Sequence, residues 1–395
     1  MTSTPRIPDS EFSIRKQKIQ DLMTRHGVDL AFFYGDDKAV FGANHTRWLT
    51  DYAPHFEPVC LALTTDSEIH AATGAESETF FHNTARSGVV HVVDEFNMPE
   101  EEYPYAKPIS FRDFLGEVVA EKSSKVSSVV IVGLEHFPSW LHNLILQFYP
   151  SAVPSPAFEE DYRNLRATKS KDEVLVMNYA FEIAEAGLHA GIGALSDGVS
   201  EREVAAEIEY AMRQMGSEGS GIDTIVGFGK KNTFPILTRT TFAKLKPGDL
   251  ALLTIAPRYE GYHGVVGRPI AFGSLNSEIR QAIEVSVEAG EASEAALKMG
   301  AVGSEVAKAG LEVLVKNNLV QHCLYSGIHS MGTSEFEPPI LTSYSDFVVP
   351  SSSFFAIDVP LFMTPWGGFR METGFYVDEA GAHRMLAAPA SYIEI

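Results

Sequence analysis

The first part of the chain alternates amphipathic stretches with short apolar runs. Residues 14–26 mix polar and apolar positions as a surface helix does, and the apolar run 28–34 that follows is typical of a buried strand. Further runs of this second kind lie at residues 58–64, 89–93 and 128–133. Strands interleaved with helices predict an α/β domain over residues 1–158, because a proline-rich run at 149–156 then breaks the pattern.

The second part opens with long amphipathic stretches and continues with apolar runs. A Ser-x-x-Glu pattern occurs at residues 170–173 and again at 200–203, each time before apolar positions at helical spacing. In this pattern the two side chains satisfy backbone N–H groups at a helix start, so each copy predicts the beginning of a helix. Further helical or strand-like stretches lie at residues 250–255, 265–272, 277–299, 304–317, 354–359 and 369–377. Helices grouped apart from paired strands predict an α+β domain over residues 159–395.

Composition and charge restrict the possible partners. The 395 residues include 52 acidic and 31 basic side chains, which give a formal net charge of -21. A nucleic acid or an anionic membrane surface requires clustered lysine and arginine, so we expect neither as a partner. A solubilising acidic surface explains the charge, and a basic protein partner such as a histone is the alternative.

Cysteine content and apolar runs indicate the compartment. Cys60 and Cys323 lie far apart and allow neither a disulfide framework nor a cysteine-based zinc site. Residues 1–12 are polar and lack the apolar core of a signal peptide. No run approaches the roughly 18 to 20 apolar residues of a membrane span. We therefore expect a cytoplasmic protein with no membrane partner.

Four stretches resemble the signature segments of one superfamily, that of methionine aminopeptidase, aminopeptidase P and creatinase. They occur in the same order and with similar spacing, at residues 165–173, 246–262, 327–333 and 365–372. The second stretch reads KPGDLALLTIAPRYEGY and resembles the hairpin of that superfamily. The resemblance implies an α/β N-terminal domain of the creatinase type, followed by the α+β C-terminal domain known as the pita-bread fold.

The resemblance also implies where metal ligands would lie. Metal-dependent members hold two divalent ions with two aspartates, one histidine and two glutamates. The matching positions of this chain are Thr254, Val265, His329, Asp358 and Glu372. A hydroxyl and an isopropyl group cannot replace two carboxylates that bridge and neutralise a pair of cations. We therefore predict a metal-independent site without a cofactor. One weakly held ion at the last three positions is the minor alternative.

The remaining chemistry resembles that of creatinase, a member of the fold that works without metal. The run 329–333 and Pro257 are creatinase-like, whereas Phe336 stands where the peptidases carry a second histidine. The catalytic histidine and hairpin carboxylate of creatinase are not matched, since Thr233 or a neighbour and Gly267 stand there. We therefore predict C–N bond hydrolysis or proton-abstraction (lyase) chemistry on a small molecule. A catalytically inactive pseudopeptidase used as a binding module is the alternative, and a metallopeptidase with altered ligands is a third.

His329 is the predicted catalytic base, because a metal-free site needs a group that exchanges protons near neutral pH. Asp358 or Glu372 would orient its ring. Carboxylates crowded in one pocket raise one another's pKa, so one of them could serve as an acid. His263, on a predicted turn between glycines, is the fourth catalytic candidate, and a solvated loop residue is the alternative for it.

The predicted substrate contacts come from both domains. Arg370 would hold a substrate carboxylate through two hydrogen bonds, or else balance the neighbouring carboxylates. Glu337 and Tyr262 are further candidates in the pocket. Glu335 and Glu337 precede two prolines, so a place at the rim of the pocket is the alternative for both.

His55 and Phe56 belong to a loop of the N-terminal domain. In relatives this loop reaches the pocket of the neighbouring subunit, so the resemblance implies a homodimer. Packing within the dimer is the alternative role for the two side chains.

Overall fold

The computed structural model describes residues 4–38, 40–120, 125–388 and 390–395. It divides into two compact units, one of residues 7–165 and one of residues 166–395 together with residues 4–6. Each unit has its own sheet and its own apolar core. In the described part of the chain, no helix combines the length and the apolar character that crossing a membrane requires.

The first unit is a five-stranded sheet between helices. Its helices are α1 (Asp9–His26), α2 (Asn44–Thr50), α3 (Glu78–Thr84), α4 (Phe111–Ala120), α5 (Ser139–Phe148) and α6 (Pro156–Ala167). Its strands are β1 (Leu30–Gly35), β2 (Val59–Thr64), β3 (His70–Thr73), β4 (Val89–Val92) and β5 (Val129–Val132). The strand order is β4-β3-β2-β1-β5, with β3–β4 and β1–β5 parallel. Every residue of β1, β2 and β5 is buried, which explains why these strands read as continuous apolar runs.

The second unit combines two pairs of helices with a large antiparallel sheet. Its helices are α7 (Lys171–Ala194), α8 (Glu201–Gln214), α9 (Gly229–Thr233), α10 (Ser277–Ala296) and α11 (Gly303–Lys316). Its strands are β6 (Gly219–Ser220), β7 (Ile225–Phe228), β8 (Leu250–Ile255), β9 (Pro257–Tyr259), β10 (Tyr262–His263), β11 (Val266–Ala271), β12 (Ile328–Ser330), β13 (Glu337–Leu341), β14 (Ser353–Thr364), β15 (Gly367–Asp378), β16 (Gly381–Arg384) and β17 (Ile393–Glu394). The main sheet has the order β13-β12-β14-β15-β11-β8-β7, and β10-β9-β6 form a small second sheet.

Two helix pairs, α7–α8 and α10–α11, cover one face of the main sheet. Gly187 brings α7 close to β8, since a Cβ atom there would lie 3.2 Å from Ile255 Cγ2. A Cβ atom at Gly290 of α10 would likewise lie 3.8 Å from Val359 Cγ2 on β14. Side chains alternate between the faces of a strand, so the residues next to Ile255 and Val359 point to the opposite face.

The predicted fold class, an α/β unit followed by an α+β unit, is confirmed. Both predicted capping patterns are present at helix starts, where the Ser170 hydroxyl accepts from the Glu173 N–H group at 3.3 Å. The Glu173 carboxylate accepts from the Ser170 N–H group at 2.7 Å in return. The predicted domain boundary at residue 158 falls inside α6, because that helix continues past the proline-rich run.

Candidate active site

Strand register aligns four positions on the face of the main sheet opposite to that of Ile255 and Val359. Thr254, Gly267, Glu372 and Asp358 are directly opposed on the neighbouring strands β8, β11, β15 and β14. Directly opposed residues of antiparallel strands point to the same face, so the side chains of this row converge. Gly267 keeps the row open, since a Cβ atom there would lie 2.9 Å from both Glu372 Cβ and Arg370 Cγ.

His329 joins this face from the adjacent strand β12. It is opposed to Ala356, which precedes Asp358 on the same face of β14. Its Nδ1 atom lies 3.1 Å from the Ser330 carbonyl oxygen, and its ring centroid lies 4.6 Å from that of Phe336. These contacts orient the ring so that Nε2 faces the carboxylates of the site.

A buried cluster of one histidine and two glutamates lies at this point. His329 Nε2 is 3.6 Å from Glu372 Oε1 and 3.9 Å from Glu335 Oε1. One ligand atom from each of the three residues lies within 4.8 Å of the others. Glu372 Oε2 is buried without a hydrogen-bond partner among the described residues. An imidazole and two carboxylates suit a divalent ion such as Zn²⁺ or Mn²⁺, so the cluster has the chemistry of a single-ion site.

The pKa values of the buried groups in the site are shifted by burial and by one another's charges. Burial alone would lower the pKa of His329, but the contact with Glu372 and the charge of Glu335 raise it to about 9. Burial raises the pKa of Glu335 to about 7, and burial together with the charge of Glu372 raises the pKa of Asp358 to about 7. His329 and Arg370 are the cationic side chains beside the three buried carboxylates of Glu335, Asp358 and Glu372. A divalent ion bound by His329 would replace the proton of the imidazole ring and add positive charge at the same point.

Asp358 turns away from the cluster. Its Oδ2 atom accepts a hydrogen bond from the Tyr325 hydroxyl at 2.5 Å and lies 4.0 Å from Arg370 Nε. Arg370 Nη2 donates to the Ile236 carbonyl oxygen at 3.2 Å. The alternative drawn from the sequence was one ion held by His329, Asp358 and Glu372. In the structure, Glu335 takes the place of Asp358 beside His329 and Glu372.

The residues present do not fit a centre of two ions. Thr254 and Val265 are fully buried where the resemblance requires two aspartates, and neither carries a carboxylate. The Thr254 hydroxyl has no hydrogen-bond partner in the described part of the chain. The cluster of His329, Glu335 and Glu372 can hold one divalent ion, whereas the second ion of the resemblance lacks its ligands.

Arg268 supports the site from the covered face of the sheet. Its side chain is fully buried, and Nη1 donates to the carbonyl oxygens of Gly267 and Glu372 at 2.9 and 2.5 Å. The pairing of β11 with β15 ends at these residues, so the guanidinium group joins the two strands where the backbone ladder stops. This contact holds the backbone of Glu372 in place.

Glu337 takes part in a buried ion-pair network. Its carboxylate accepts from Arg166 Nη2 at 2.6 Å and from Lys169 Nζ at 3.3 Å. Arg166 also donates to the Thr333 hydroxyl at 2.8 Å, so the network joins the segment before α7 to residues 327–333, the histidine loop. The rim alternative is wrong for Glu335 and Glu337, because both side chains are buried. A substrate contact of Glu337 stays a prediction.

Tyr262 and His263 form the short strand β10 and are buried. The Tyr262 hydroxyl donates to Glu173 Oε1 at 2.6 Å. His263 Nδ1 lies 3.0 Å from the Gly332 carbonyl oxygen, and the His263 N–H group donates to the same oxygen at 3.1 Å. The solvated-loop alternative for His263 is therefore wrong, since the ring is 1% exposed and holds the histidine loop. The catalytic role of His263 and the substrate contact of Tyr262 stay predictions.

His55 and Phe56 lie in the first unit, after α2. Phe56 is 58% exposed and has a φ of 71°, the left-handed region that side chains other than glycine rarely adopt. An exposed aromatic ring on a strained loop is compatible with a contact to another molecule. The role of both residues in substrate binding stays a prediction.

Sequence reasoning placed His329, Asp358, Arg370 and Glu372 in one pocket, and the strand register puts all four on one face of the sheet. It gave Glu335 no place in the cluster and named a position at the rim of the pocket as the alternative for it. It also left out the support from Arg268, Tyr325 and the pair Arg166 and Lys169. The signal available for Glu335 was its place two residues after Thr333, the last residue of the run that resembles the superfamily's histidine segment.

The chain is similar to proteins that are described as metallopeptidases or named as dipeptidases. Residues 176–379 match the model of a family described as metallopeptidase family M24. The chain is similar to an Xaa-Pro dipeptidase from Pyrococcus furiosus, with 28% identity over 56% of this chain and 64% of the relative. A second Xaa-Pro dipeptidase, from Pyrococcus horikoshii, is 26% identical over 56% of this chain and 63% of the relative. The matches thus span less than two thirds of the curated relatives' length.

The fold is also that of a solved prolidase from Thermococcus sibiricus. The TM-score is 0.83 at 19% identity, over 97% of this chain and 99% of the other. This likeness confirms the predicted pita-bread fold.

The predicted function is corrected by these findings. A metal-independent creatinase-like enzyme and an inactive binding module are both contradicted, because the family is described as one of metallopeptidases and the relatives are named as dipeptidases. The error came from taking the loss of two aspartates as the loss of all metal binding, although Glu335 offers a ligand in their neighbourhood. Of the two reaction classes predicted, hydrolase and lyase, the family description agrees with the hydrolase. The chain belongs to metallopeptidase family M24.

Proposed function

We propose that this protein hydrolyses short peptides, in the manner of a dipeptidase, and uses one divalent cation. The observation that carries the proposal is the buried cluster of His329, Glu335 and Glu372. It supplies three protein ligands, the number that catalytic zinc sites use while they keep one position open. The names of the relatives support dipeptides as the substrate class.

The three residues would hold the ion through one imidazole nitrogen and two carboxylate oxygens. A divalent cation bound there would polarise a peptide carbonyl group and lower the pKa of a water molecule to about 7. Burial serves the same end, because electrostatic attraction is stronger where water is excluded. The Glu372 oxygen that has no partner among the described residues supports the assignment, since a buried unsatisfied carboxylate is costly.

Two further side chains would act on the substrate. Arg370 is buried beside the cluster, and its Nε atom has no hydrogen-bond partner among the described residues. We assign this guanidinium group to the carboxylate of a short peptide, which it suits in shape and charge. Asp358 stays outside the cluster with one unpartnered oxygen, and we assign it the transfer of a proton between water and the leaving amine.

The test combines metal analysis with an assay on a panel of dipeptides that includes Xaa-Pro sequences. We expect about one divalent ion per chain after loading with Zn²⁺ or Mn²⁺, and hydrolysis that chelation abolishes and metal restores. Glu335→Gln should lower metal affinity at least about tenfold, because it removes a charged ligand. Glu312→Gln, an identical change at an exposed position of α11, is the matched control and should behave as the parent does.

Two results would refute the proposal. One is an ion content near two per chain that Glu335→Gln leaves unchanged, which would place the metal on other ligands. The other is a chain that binds one ion but leaves every dipeptide of the panel intact.

We further propose a homodimer in the cytoplasm. The exposed Phe56 supports a contact with a second copy, and light scattering coupled to size-exclusion chromatography tests it. The two cysteines, Cys60 and Cys323, are free thiols, which suits a reducing compartment.

A further inference from the structure

Asp358 lies beside the cation cluster without being part of it. It is directly opposed to Glu372 on the neighbouring strand, so the two side chains point to the same face of the main sheet. The Cβ atoms of such a pair lie about 4.5–5.5 Å apart, which brings both carboxylates within reach of one point. Among the described residues, however, the ligand atoms that lie within 4.8 Å of one another belong to His329, Glu335 and Glu372. A contact outside the cluster therefore directs the Asp358 carboxylate.

That contact is a hydrogen bond from Tyr325. Its hydroxyl donates to Asp358 Oδ2 at 2.5 Å, whereas Oδ1 has no hydrogen-bond partner in the described part of the chain. The guanidinium group of Arg370 is farther away, with Nε 4.0 Å from Oδ2, and its Nη2 atom donates to the Ile236 carbonyl oxygen. Hydrogen bonds to charged groups are stronger than those between neutral groups. Tyr325 is thus the main contact that orients the Asp358 side chain.

The backbone fixes the position of Tyr325 in turn. The Asp358 N–H group donates to the Gly327 carbonyl oxygen at 2.8 Å, so the segment that carries Tyr325 lies against β14 at Asp358. Gly327 permits this approach, because a Cβ atom there would collide with the backbone carbonyl group of Asp358. The half-buried side chain of Tyr325 starts two residues earlier. Its hydroxyl is therefore held at Asp358 by backbone as well as side-chain contacts.

We propose that Tyr325 is a positioning residue, which keeps the Asp358 carboxylate from becoming a ligand of the ion. This inference rests on the proposed function, in which His329, Glu335 and Glu372 bind one divalent cation. With Asp358 held by Tyr325, the site has three protein ligands and keeps one position open, as catalytic zinc sites do. Without the hydroxyl, Asp358 would turn to the cation and take that position as a fourth protein ligand.

Tyr325→Phe tests this role, because it removes the hydroxyl and keeps the ring. The affinity of the full chain for Zn²⁺ alone is measured at about pH 8 by competition with a chromophoric chelator. We expect Kd to fall about tenfold, since the number of charged ligands sets the affinity of a site for a divalent cation. General damage to the site would raise Kd instead, so a gain in affinity separates positioning from a merely structural role. Tyr344→Phe, the same change at an 85% exposed position, is the matched control and should leave Kd unchanged.

Two variants of Asp358 identify the carboxylate that moves. Asp358→Asn alone should weaken Zn²⁺ binding far less than Glu335→Gln does, because Asp358 is not a ligand in the parent chain. Tyr325→Phe combined with Asp358→Asn should lose the gain in affinity, since the amide brings no charge to the ion. A thermal melt verifies that each variant folds, and Asp358→Asn carries the test alone if Tyr325→Phe does not fold.

The role of Tyr325 is overturned if Tyr325→Phe binds Zn²⁺ no more tightly than the parent, or if the combined variant keeps the gain in affinity. It is also overturned if Asp358→Asn weakens binding as much as Glu335→Gln does. In each of these cases the parent still binds one ion, so the proposed function stands. A parent chain that binds no ion refutes the proposed function and this inference with it.

Discussion

At the scale of single residues, the environment of a side chain decides what its chemistry can do. Glu335 and Glu337 are separated by one residue, and both are buried. Glu335 faces His329 and Glu372 across a gap that suits a cation. Glu337 is already matched by Arg166 and Lys169. Two similar carboxylates therefore have different assignments, one to bind an ion and one to hold the fold.

The structural role of Glu337 predicts a loss of stability. Glu337→Gln would leave two buried cations with one carboxylate fewer, and breaking a buried pair costs about 3–5 kcal/mol. We expect the free energy of unfolding in urea to fall by about that amount, with KM for dipeptides unchanged. Glu379→Gln, an exposed counterpart, should change neither quantity. A stable variant with a raised KM would instead support the substrate contact that the sequence predicted.

At the scale of elements, the site depends on how closely the helices approach the sheet. Gly191 of α7 faces α8 and β8, since a Cβ atom there would lie 2.8 Å from Ile208 Cδ1 and 3.2 Å from Leu253 Cδ1. Gly193 of the same helix has no atom within 4 Å of the equivalent point. The packing of α7 therefore requires a glycine at position 191 but not at position 193.

Substitution of the two glycines should have opposite effects. Gly191→Val would force α7 away from its neighbours and cost about 1–3 kcal/mol. Gly193→Ala fills empty space and restricts the unfolded chain, so we expect a gain of about 0.4–1 kcal/mol. Denaturant unfolding of both variants measures the difference. Equal destabilisation by the two changes would mean that helix packing does not distinguish the positions.

At the scale of the whole molecule, the proposed ion belongs to one unit. The unit of residues 166–395 contains all three residues of the cluster, His329, Glu335 and Glu372. The ion would link strand β12, which carries His329, to strand β15, which carries Glu372. The unit of residues 7–165 has its own sheet and core. A ligand that binds only the native state stabilises the part of the chain that holds it.

Metal removal should therefore lower the stability of the second unit. At an ion concentration of about 100 times Kd, binding adds about 2.7 kcal/mol. We expect chelation to lower the calorimetric transition of the second unit and to leave that of the first in place. Glu335→Gln should show the lower transition with or without chelator. If chelation lowered the transition of Glu335→Gln as much as that of the parent, the ion would not be bound by the proposed cluster.

The sequence predicted much of this architecture because local signals were strong. Apolar runs marked β1, β2 and β5, and the two capping patterns marked the starts of α7 and α8. The boundary between the units was harder to place, because α6 continues through the predicted end of the first domain. The prediction of a metal-free enzyme failed for a related reason: spacing along the chain indicates which positions match a motif, but not which other side chain reaches the same point.

By itself, the sequence determined the two-part architecture, the family's segments and the histidine of the site. These depend on hydrophobic periodicity, helix caps and short motifs, which act over a few residues. Only the tertiary structure decided that Glu335 joins His329 and Glu372, that Glu337 is bound by Arg166 and Lys169, and that Asp358 turns to Tyr325 and Arg370. Such pairings follow from strand register and burial, because a buried carboxylate requires a compensating charge or donor, and folding brings that partner from a distant part of the chain.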